Sequence, residues 1–472
     1  MEDKLYHLLK YYEKSPQLCK TILGGLYSKV PVKVRYGKRY VHFKRMLRES
    51  QWWPIEKHRE EQIKKLQELI VHAYLNVPYY KEKLGAHSIK PNMIHDFDDF
   101  SGMPFLTKMD IKNNLDRLTG TNIPKSQWLY ITTGGSTGIP VGFYLQKGMS
   151  RARELAFMTT QWERVDYKLN DKGLFIRGSF IGKENKIWEY DPIKNVIMIS
   201  SYHLTEKKLP GIIEKIRKFR PKFVQAYPSS LYIIARFMLD HNIPHFESVN
   251  ALLCGSENIY PYQRKIFEEV FKTRVYSWYG HSERVALGGE CEKSSNYHFF
   301  PEYGYLELIN KNGEPCQQEG EIGEIIATGF DNWVMPLIRY RTMDMGVLTK
   351  GKCSCGREYP MLKRIEGRMH EFIITKTQRL ISMTAINMHS PVFDNVEQFQ
   401  FFQDKVGEVN FKFVRRNGFS QADISKINKE LQTKLGKDMI LNLVEVESIS
   451  KNKNGKFTFL KQKLDLDNFE GK

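Results

Sequence analysis

Between residues 130 and 345 short apolar runs alternate with helix-like stretches, and this alternation limits the possible folds more than any other feature. Leu174–Ile176, Phe223–Ala226, Ala251–Cys254 and Val275–Trp278 are brief and apolar throughout, as strands buried on both faces are. Helical segments such as Leu231–Leu239 and Tyr262–Phe271 lie among them, which predicts a layered α/β core. Tyr305–Ile309, a Lys311-Asn312-Gly313 turn and Gly323–Thr328 then predict a hairpin-rich β region. Upstream, from about Glu60 to Leu75, Ile63, Leu66, Ile70 and Ala73 fall at helical spacing. That helix should end near Asn76, because Pro78 disfavours helical geometry in the residue before it. Residues 1–60 read as short helical and extended pieces, with exposed Trp52 and Trp53.

After about residue 367 the pattern changes. Alternation at Val409, Phe411 and Phe413 is followed by Gly418, and then by a helix with Ile424, Ile427, Leu431 and Leu435 on one face. A strand over about Ile440–Val446 completes a small α+β unit. The expected fold class is therefore α/β. A large multi-layer N-terminal domain (1–366), with mixed sheets and a β-rich part, precedes a small mobile C-terminal α+β lid (367–472). With 472 residues the chain is long enough for two or three domains.

Composition narrows the setting. The hydrophobic fraction of 41% is that of a globular protein, and no run of about 18 apolar residues suggests a membrane span. The opening Met-Glu-Asp-Lys lacks the layout of a signal peptide. Six cysteines in so long a chain do not make a disulfide framework, so a reducing, cytoplasmic location is expected. The net charge is +18, and residues 1–60 carry 14 basic against 6 acidic side chains. Nucleic acid, an anionic membrane surface touched peripherally, or a polyanionic substrate could meet such a patch, and so could solvent alone.

One loop stands out chemically: Thr132-Thr133-Gly134-Gly135-Ser136-Thr137-Gly138-Ile139-Pro140. Glycines let backbone N–H groups approach phosphate oxygens, and the hydroxyls add donors without bulk. Strand-like Trp128–Ile131 and Val141–Leu145 flank it closely, unlike a flexible linker, and Ile139-Pro140 excludes the Gly-Lys-Ser/Thr of a Walker A loop. The loop resembles that of the adenylate-forming superfamily of acyl- and aryl-CoA ligases. Asn76-Val77-Pro78-Tyr79-Tyr80 and Pro104-Phe105-Leu106-Thr107-Lys108 resemble signatures of its phenylacetate–coenzyme A ligase-like branch, in particular capsular polysaccharide biosynthesis members. Gly134 and Val141 stand where the family has Ser and Lys.

Further motifs follow in the family's order over residues 60 to 460. The resemblance implies that Gly255, Ser256 and Glu257 line the adenine and acyl pocket, and that Tyr279-Gly280-His281-Ser282-Glu283 places Tyr279 on adenine, Ser282 at the α-phosphate and Glu283 on Mg²⁺. A carboxylate is a hard ligand suited to that ion. It also implies that Asp344, in Arg339-Tyr340-Arg341-Thr342-Met343-Asp344, accepts from ribose hydroxyls, although Met343 replaces a glycine. In the hinge Arg364-Ile365-Glu366-Gly367-Arg368, Arg368 would meet ribose or phosphate, with His370 where an acid is usual. In the closing motif Lys456, after Gly455, would neutralise charge on the α-phosphate. ATP (leaving as AMP on the acyl group) and Mg²⁺ are the implied cofactors.

The cysteines carry a separate signal. Cys291 and His298 are separated by six intervening residues, and Cys353-Ser354-Cys355-Gly356 forms a tight knuckle about 55 residues on. Three thiolates and an imidazole can close a tetrahedral structural Zn²⁺ site. The plainer alternative is a set of buried free cysteines. Cys316 is a reserve ligand, while Cys19 and Cys254 read as packing residues.

The implied reaction is adenylation of a small carboxylic acid followed by acyl transfer. After the hinge, Thr375-Lys376-Thr377-Gln378-Arg379-Leu380-Ile381 contains no glycine, whereas CoA-using members have a glycine-rich turn there. This favours an amine acceptor, hence an amide-forming ligase of capsular or cell-surface polysaccharide biosynthesis, over an acyl- or aryl-CoA ligase. The basic surface would suit an anionic sugar nucleotide. An inactive basic nucleic-acid-binding protein is the alternative of another class, and the complete set Glu283, Asp344, Arg368 and Lys456 argues against it.

Overall fold

A computed structural model describes residue 12 and residues 15–132, 141–177, 187–257, 259, 261–310, 312–366, 372–377, 380–382, 386, 391–393, 395–416, 418–449 and 460–464. Among the described residues near the N-terminus are three helices, α1 (Gln17–Ser28), α2 (Val32–Ser50) and α3 (Ile55–Asn76). The short mixed pieces expected over residues 1–60 are thus replaced, where described, by long helices. In α2 the buried Tyr40, Phe43 and Leu47 recur at helical spacing, and the kink at Gly37 (φ 77°) obscures that period in the sequence. α3 ends at Asn76 as expected, because Val77 before Pro78 is extended (φ −115°, ψ 107°). Trp52 is exposed, whereas Trp53 is half-buried with the Lys57 ammonium 3.9 Å from its ring centre.

A two-stranded hairpin, β1 (Trp128–Thr132) and β2 (Gly142–Gln146), precedes the main sheet. The next strands are β3 (Gly173–Arg177), β4 (Trp188–Asp191), β5 (Val196–Ser200), β6 (Phe223–Ala226), β7 (Ala251–Gly255) and β8 (Val275–Gly280). They continue as β9 (Leu287–Gly289), β10 (Tyr297–Phe299), β11 (Gly304–Ile309), β12 (Ile322–Gly329), β13 (Tyr340–Leu348) and β14 (Met361–Glu366). These twelve form one mixed sheet in the order β11-β12-β13-β14-β10-β9-β8-β7-β6-β3-β5-β4. Strands β5, β3, β6, β7 and β8 are mutually parallel, and β9 runs antiparallel to β8.

Helices cover the parallel half. In α4 (Leu209–Phe219) the buried residues are Leu209, Ile212, Ile213 and Ile216, one face of a helix. They share a core with Leu174, Val224 and Leu252 of the strands, and each aliphatic side chain so buried contributes about 1.5–3 kcal/mol. Two more helices, α5 (Pro228–Asp240) and α6 (Pro261–Phe271), each start with proline at the first turn, where its missing N–H costs nothing. A second core joins Leu66, Ile70 and Ala73 of α3 to Val141, Phe143, Val285, Ile325 and Tyr340.

The C-terminal unit has its own core of Phe399, Phe401, Val409, Phe411, Phe413, Ile427, Leu431 and Leu435. Strands β15 (Phe372–Ile374) and β16 (Leu380–Ser382) form a hairpin. β17 (Val396–Lys405), β18 (Glu408–Arg415), β19 (Ile440–Glu445) and β20 (Leu460–Gln462) form a sheet in the order β19-β18-β17-β20, crossed by α7 (Gln421–Leu435). The architecture is a mixed α/β assembly with a large sheet and a small C-terminal unit, as the sequence implied.

Candidate functional site

Sites in open α/β sheets form beyond the carboxyl ends of the strands, where the strand order changes direction. Here the order reverses at β3, between β5 and β6, and the motif residues leave the carboxyl ends of the next parallel strands, β7 and β8, beside the antiparallel β9. Gly255 closes β7 next to Trp278, so Gly255-Ser256-Glu257 and Tyr279-Gly280 leave adjacent strands side by side. Any Cβ at Gly255 would collide with the Trp278 indole, which explains the glycine, and Ser256 takes a left-handed φ of 68°.

Two acids are held in a reciprocal arrangement. The Tyr279 hydroxyl donates to Asp344 Oδ2 at 2.8 Å, and the Tyr340 hydroxyl donates to Glu283 Oε1 at 2.7 Å. Each segment thus carries a tyrosine and, four residues later, a carboxylate, and each tyrosine holds the other segment's carboxylate. The result fixes Asp344 on β13 relative to Glu283 beyond β8. Burial pushes both phenols well above their ordinary pKa, Asp344 adding to this at Tyr279 and Glu283 at Tyr340, so both remain donors. Burial also works against ionised Glu283, but His281, Lys108 and the Tyr340 hydroxyl outweigh it and hold this carboxyl below the ordinary glutamate value. His281 Nδ1 lies 3.7 Å from Glu283 Oε2. Ser282 sits half-buried in the same turn.

The strand carrying Asp344 bends there. Arg341 pairs with Ile326 and Met345 with Glu324, so Thr342, Met343 and Asp344 bulge opposite Ile325. Met343 adopts φ 67°, the conformation a glycine would take without strain. Its N–H donates to Glu324 Oε1 at 3.1 Å, and the Thr342 hydroxyl donates to the Ile325 carbonyl at 2.7 Å. The methionine therefore keeps the backbone path on which the carboxylate depends.

The Pro104–Lys108 signature supports the same strand. Leu106 bridges Tyr340, its N–H bonding the Arg339 carbonyl at 3.0 Å while Arg341 N–H bonds the Leu106 carbonyl at 2.9 Å. Buried Arg339 donates to both oxygens of Glu307 and to the carbonyls of Ser101 and Met103. Thr107 and Asp110 form a capping box on the helix Lys108–Asn113, which sets the Lys108 charge near Glu283. Sequence reasoning assigned no role to Lys108, His281 or Tyr340. All three stand inside motifs already singled out, but only the folded contacts distinguish them from their neighbours.

Thr133, Gly134, Gly135, Ser136, Thr137 and Gly138 lie outside the described residues, as do Arg368, His370 and Lys456. The flanks of the loop are described: Thr132 pairs with Gly142, so the loop closes a hairpin. Buried Val141 at its foot shares a core with Val285, Ala286 and Tyr340, which brings the hairpin's base to the Glu283 region.

Cys291, His298, Cys353 and Cys355 converge at the opposite edge of β9 and β10, their four ligand atoms all within 4.8 Å of one another. Cys291 Sγ lies 3.6 Å from Cys353 Sγ, and Cys355 Sγ lies 3.5 Å from His298 Nε2. His298 Nδ1 contacts the Asn296 carbonyl at 3.0 Å, which assigns the proton to Nδ1 and leaves the Nε2 lone pair facing the sulfurs. Burial, then the Arg164 charge, pushes the imidazole down to about 4, so it is neutral at pH 7. Cys316 is elsewhere, half-buried beside Gly323 and Glu321, and takes no part. Cys254 is a buried packing residue as expected, but Cys19 is not, because α1 turns it to solvent.

The family described as the CapK C-terminal domain matches residues 373–463, most of the C-terminal unit. Protein CapK of Staphylococcus aureus is 26% identical over 464 residues, spanning 96% of this chain and 99% of that one. Phenylacetate-coenzyme A ligase of Thermus thermophilus is 25% identical over 335 residues, 68% of this chain and 73% of that protein. A crystal structure of 2-hydroxyisobutyryl-CoA ligase in complex with 2-HIB-AMP and CoA superposes with a TM-score of 0.60 at 17% identity, covering 87% of this chain and 91% of that one. With the ordered motifs and the tyrosine-held carboxylates beyond β8 and on β13, these similarities support placing the chain with the adenylate-forming enzymes, AMP-forming ligases, in the phenylacetate–coenzyme A ligase-like branch.

Proposed function

We propose that the protein activates a small carboxylic acid as its acyl-adenylate, consuming ATP with Mg²⁺ and releasing pyrophosphate, and then transfers the acyl group to an amine. The observation that carries this reading is the reciprocal pairing of Tyr279 with Asp344 and Tyr340 with Glu283. Two carboxylates are thereby fixed, Glu283 beyond the end of β8 and Asp344 at the bulge in β13, and Glu283 is held ionised inside the protein. Glu283 has the chemistry to hold Mg²⁺, which would neutralise phosphate charge when bound. Asp344 is suited to ribose hydroxyls, and the Thr133–Gly138 loop to the phosphates. Lys456 and Arg368 are assigned to the α-phosphate and the ribose or phosphate oxygens on the strength of their motifs. Residues 367–472 would act as a lid, a reading supported by Tyr227, beyond the end of β6, packing against the C-terminal core.

The amine preference rests on the turn after the hinge. Its described part, Thr375–Thr377, joins β15 toward β16 with Thr375 fully buried and Thr377 donating to Asp438 at 2.6 Å. A turn that carries side chains and is tied to Asp438 leaves less room for a pantetheine arm than a glycine-rich one. Acyl-CoA formation is the second reading, favoured by the relatives named as CoA ligases. The resemblance to CapK favours a role in capsular or cell-surface polysaccharide biosynthesis. The decisive experiment is ATP–pyrophosphate exchange across a panel of carboxylates that includes uronic and amino acids, followed by product analysis with CoA and with amines. Exchange with at least one acid and amide formation are expected; no exchange with any acid defeats the adenylation reading, and thioester formation alone defeats the amine.

The Cys291–His298–Cys353–Cys355 cluster fits a structural Zn²⁺. Four soft ligands at these spacings, with the imidazole oriented by a backbone carbonyl, satisfy a closed tetrahedral site. Arg357 joins this knuckle to Gln51 and Glu292, so a metal there would tie the end of α2 to the sheet.

A further inference from the structure

Helix α1 is inverted relative to an ordinary surface helix. Its inward side is small and polar: a Cβ on Gly24 would collide with Pro192 and the Tyr12 hydroxyl, Lys20 pairs with Glu189 at 2.5 Å, and Gln17 donates to the Tyr190 carbonyl. Its bulky apolar residues face solvent instead. Leu18 is 72% exposed and Leu26 61%, with Ile22 and Leu23 at 56% each. Positions 18, 22 and 26 are one helical turn apart, and position 23 adjoins them, so they form a stripe rather than scattered single residues. The outer face of α2 adds exposed Val34 and Val41.

Charge says what such a face meets. From Lys14 to Arg48 there are ten Lys or Arg and no Asp or Glu. Lys29, Lys33, Lys38, Arg39, Arg45 and Arg48 are all exposed, and among the described residues none is ion-paired. We infer that α1 and the outer face of α2 form a peripheral docking surface for an anionic lipid bilayer, the leucine stripe entering the interface and the cations meeting the headgroups. A second copy bringing the same face would set these six exposed cations against six like ones, which repel. Nucleic acid would answer the charge but leave the apolar stripe in water. An anionic lipid surface satisfies both features. The proposal is independent of the catalytic reading, since none of these residues belongs to the candidate site.

The test uses the full chain with vesicles of phosphatidylcholine alone or with phosphatidylglycerol. Sedimentation should carry the protein down with the anionic vesicles and not the neutral ones. Leu18→Ser with Leu26→Ser, and separately Lys33→Gln, Lys38→Gln and Arg39→Gln together, should each weaken partitioning about tenfold or more. All five side chains are exposed, so unfolding midpoints should match the parent; if the leucine pair fails to fold, Ile22→Ser with Leu23→Ser replaces it. Absence of binding to anionic vesicles overturns the inference. So does unchanged binding by the leucine variant, equal binding to duplex RNA that the leucine variant retains, or a dimer in sedimentation velocity that the leucine variant abolishes.

Discussion

Replacing Tyr340 by Phe removes one oxygen from the candidate site and nothing else. The ring stays in its buried place, while Glu283 Oε1 loses the hydroxyl that donates to it at 2.7 Å. A hydrogen bond to a charged group contributes roughly 1.5–3 kcal/mol, and the carboxylate left behind is buried. The loss should therefore appear twice. The urea midpoint should fall by an amount corresponding to about 1.5–3 kcal/mol at pH 7. If Glu283 holds Mg²⁺, the partner that orients it is also gone, and such losses typically weaken metal affinity or activity about 10–100-fold. ATP–pyrophosphate exchange titrated with Mg²⁺ should shift accordingly. Glu283 ionises in the folded protein below its ordinary value of 4.5, so its stabilising contribution is full above that value and fades as pH falls through the folded one. Tyr340→Phe removes one cause of the depression, so the acid limb of stability should move to higher pH. An unchanged Mg²⁺ titration with an unchanged urea midpoint would refute the argument. A stability loss without any Mg²⁺ effect would leave Tyr340 structural and remove Glu283 from the metal.

Three further outcomes can be checked. Lys456→Ala should lower pyrophosphate exchange by about 10²–10³ while leaving unfolding unchanged, since one preorganised donor to developing charge is removed; parent-like exchange would take Lys456 out of the reaction. Elemental analysis should find about one Zn²⁺ per chain, and Cys355→Ser should release it and lower the thermal midpoint; a metal-free protein of equal stability would end that assignment. Met343→Gly should stabilise by about 0.5–1 kcal/mol, because relief of left-handed strain exceeds the added unfolded-state entropy, whereas β-branched Met343→Val should destabilise. Equal urea midpoints for all three would show that position 343 carries no strain.

Much of the layout was legible from local pattern. The strands β6, β7 and β8, the end of α3 before Pro78, and the C-terminal strand–helix–strand unit were readable because burial on both faces, helical periodicity and proline geometry are properties of neighbouring residues. The N-terminal helices were not, since the Gly37 kink breaks their period and α1 hides its glycine side rather than its leucines. Periodicity assumes that apolar residues point inward, and there they do not.

The site divides along the same line. The amino-acid order alone determined which residue types are present: the carboxylates at 283 and 344, the glycine-rich loop, and three cysteines with a histidine at metal-ligand spacing. Which side chain answers which was decided by tertiary structure, because the antiparallel turn after β8 and the bulge in β13 set Tyr279 against Asp344 and Tyr340 against Glu283 across more than fifty residues of chain. Spacing along the chain can nominate a ligand, but a hydrogen bond lasting in a buried site needs donor and acceptor fixed within about 3 Å, and only packing supplies that.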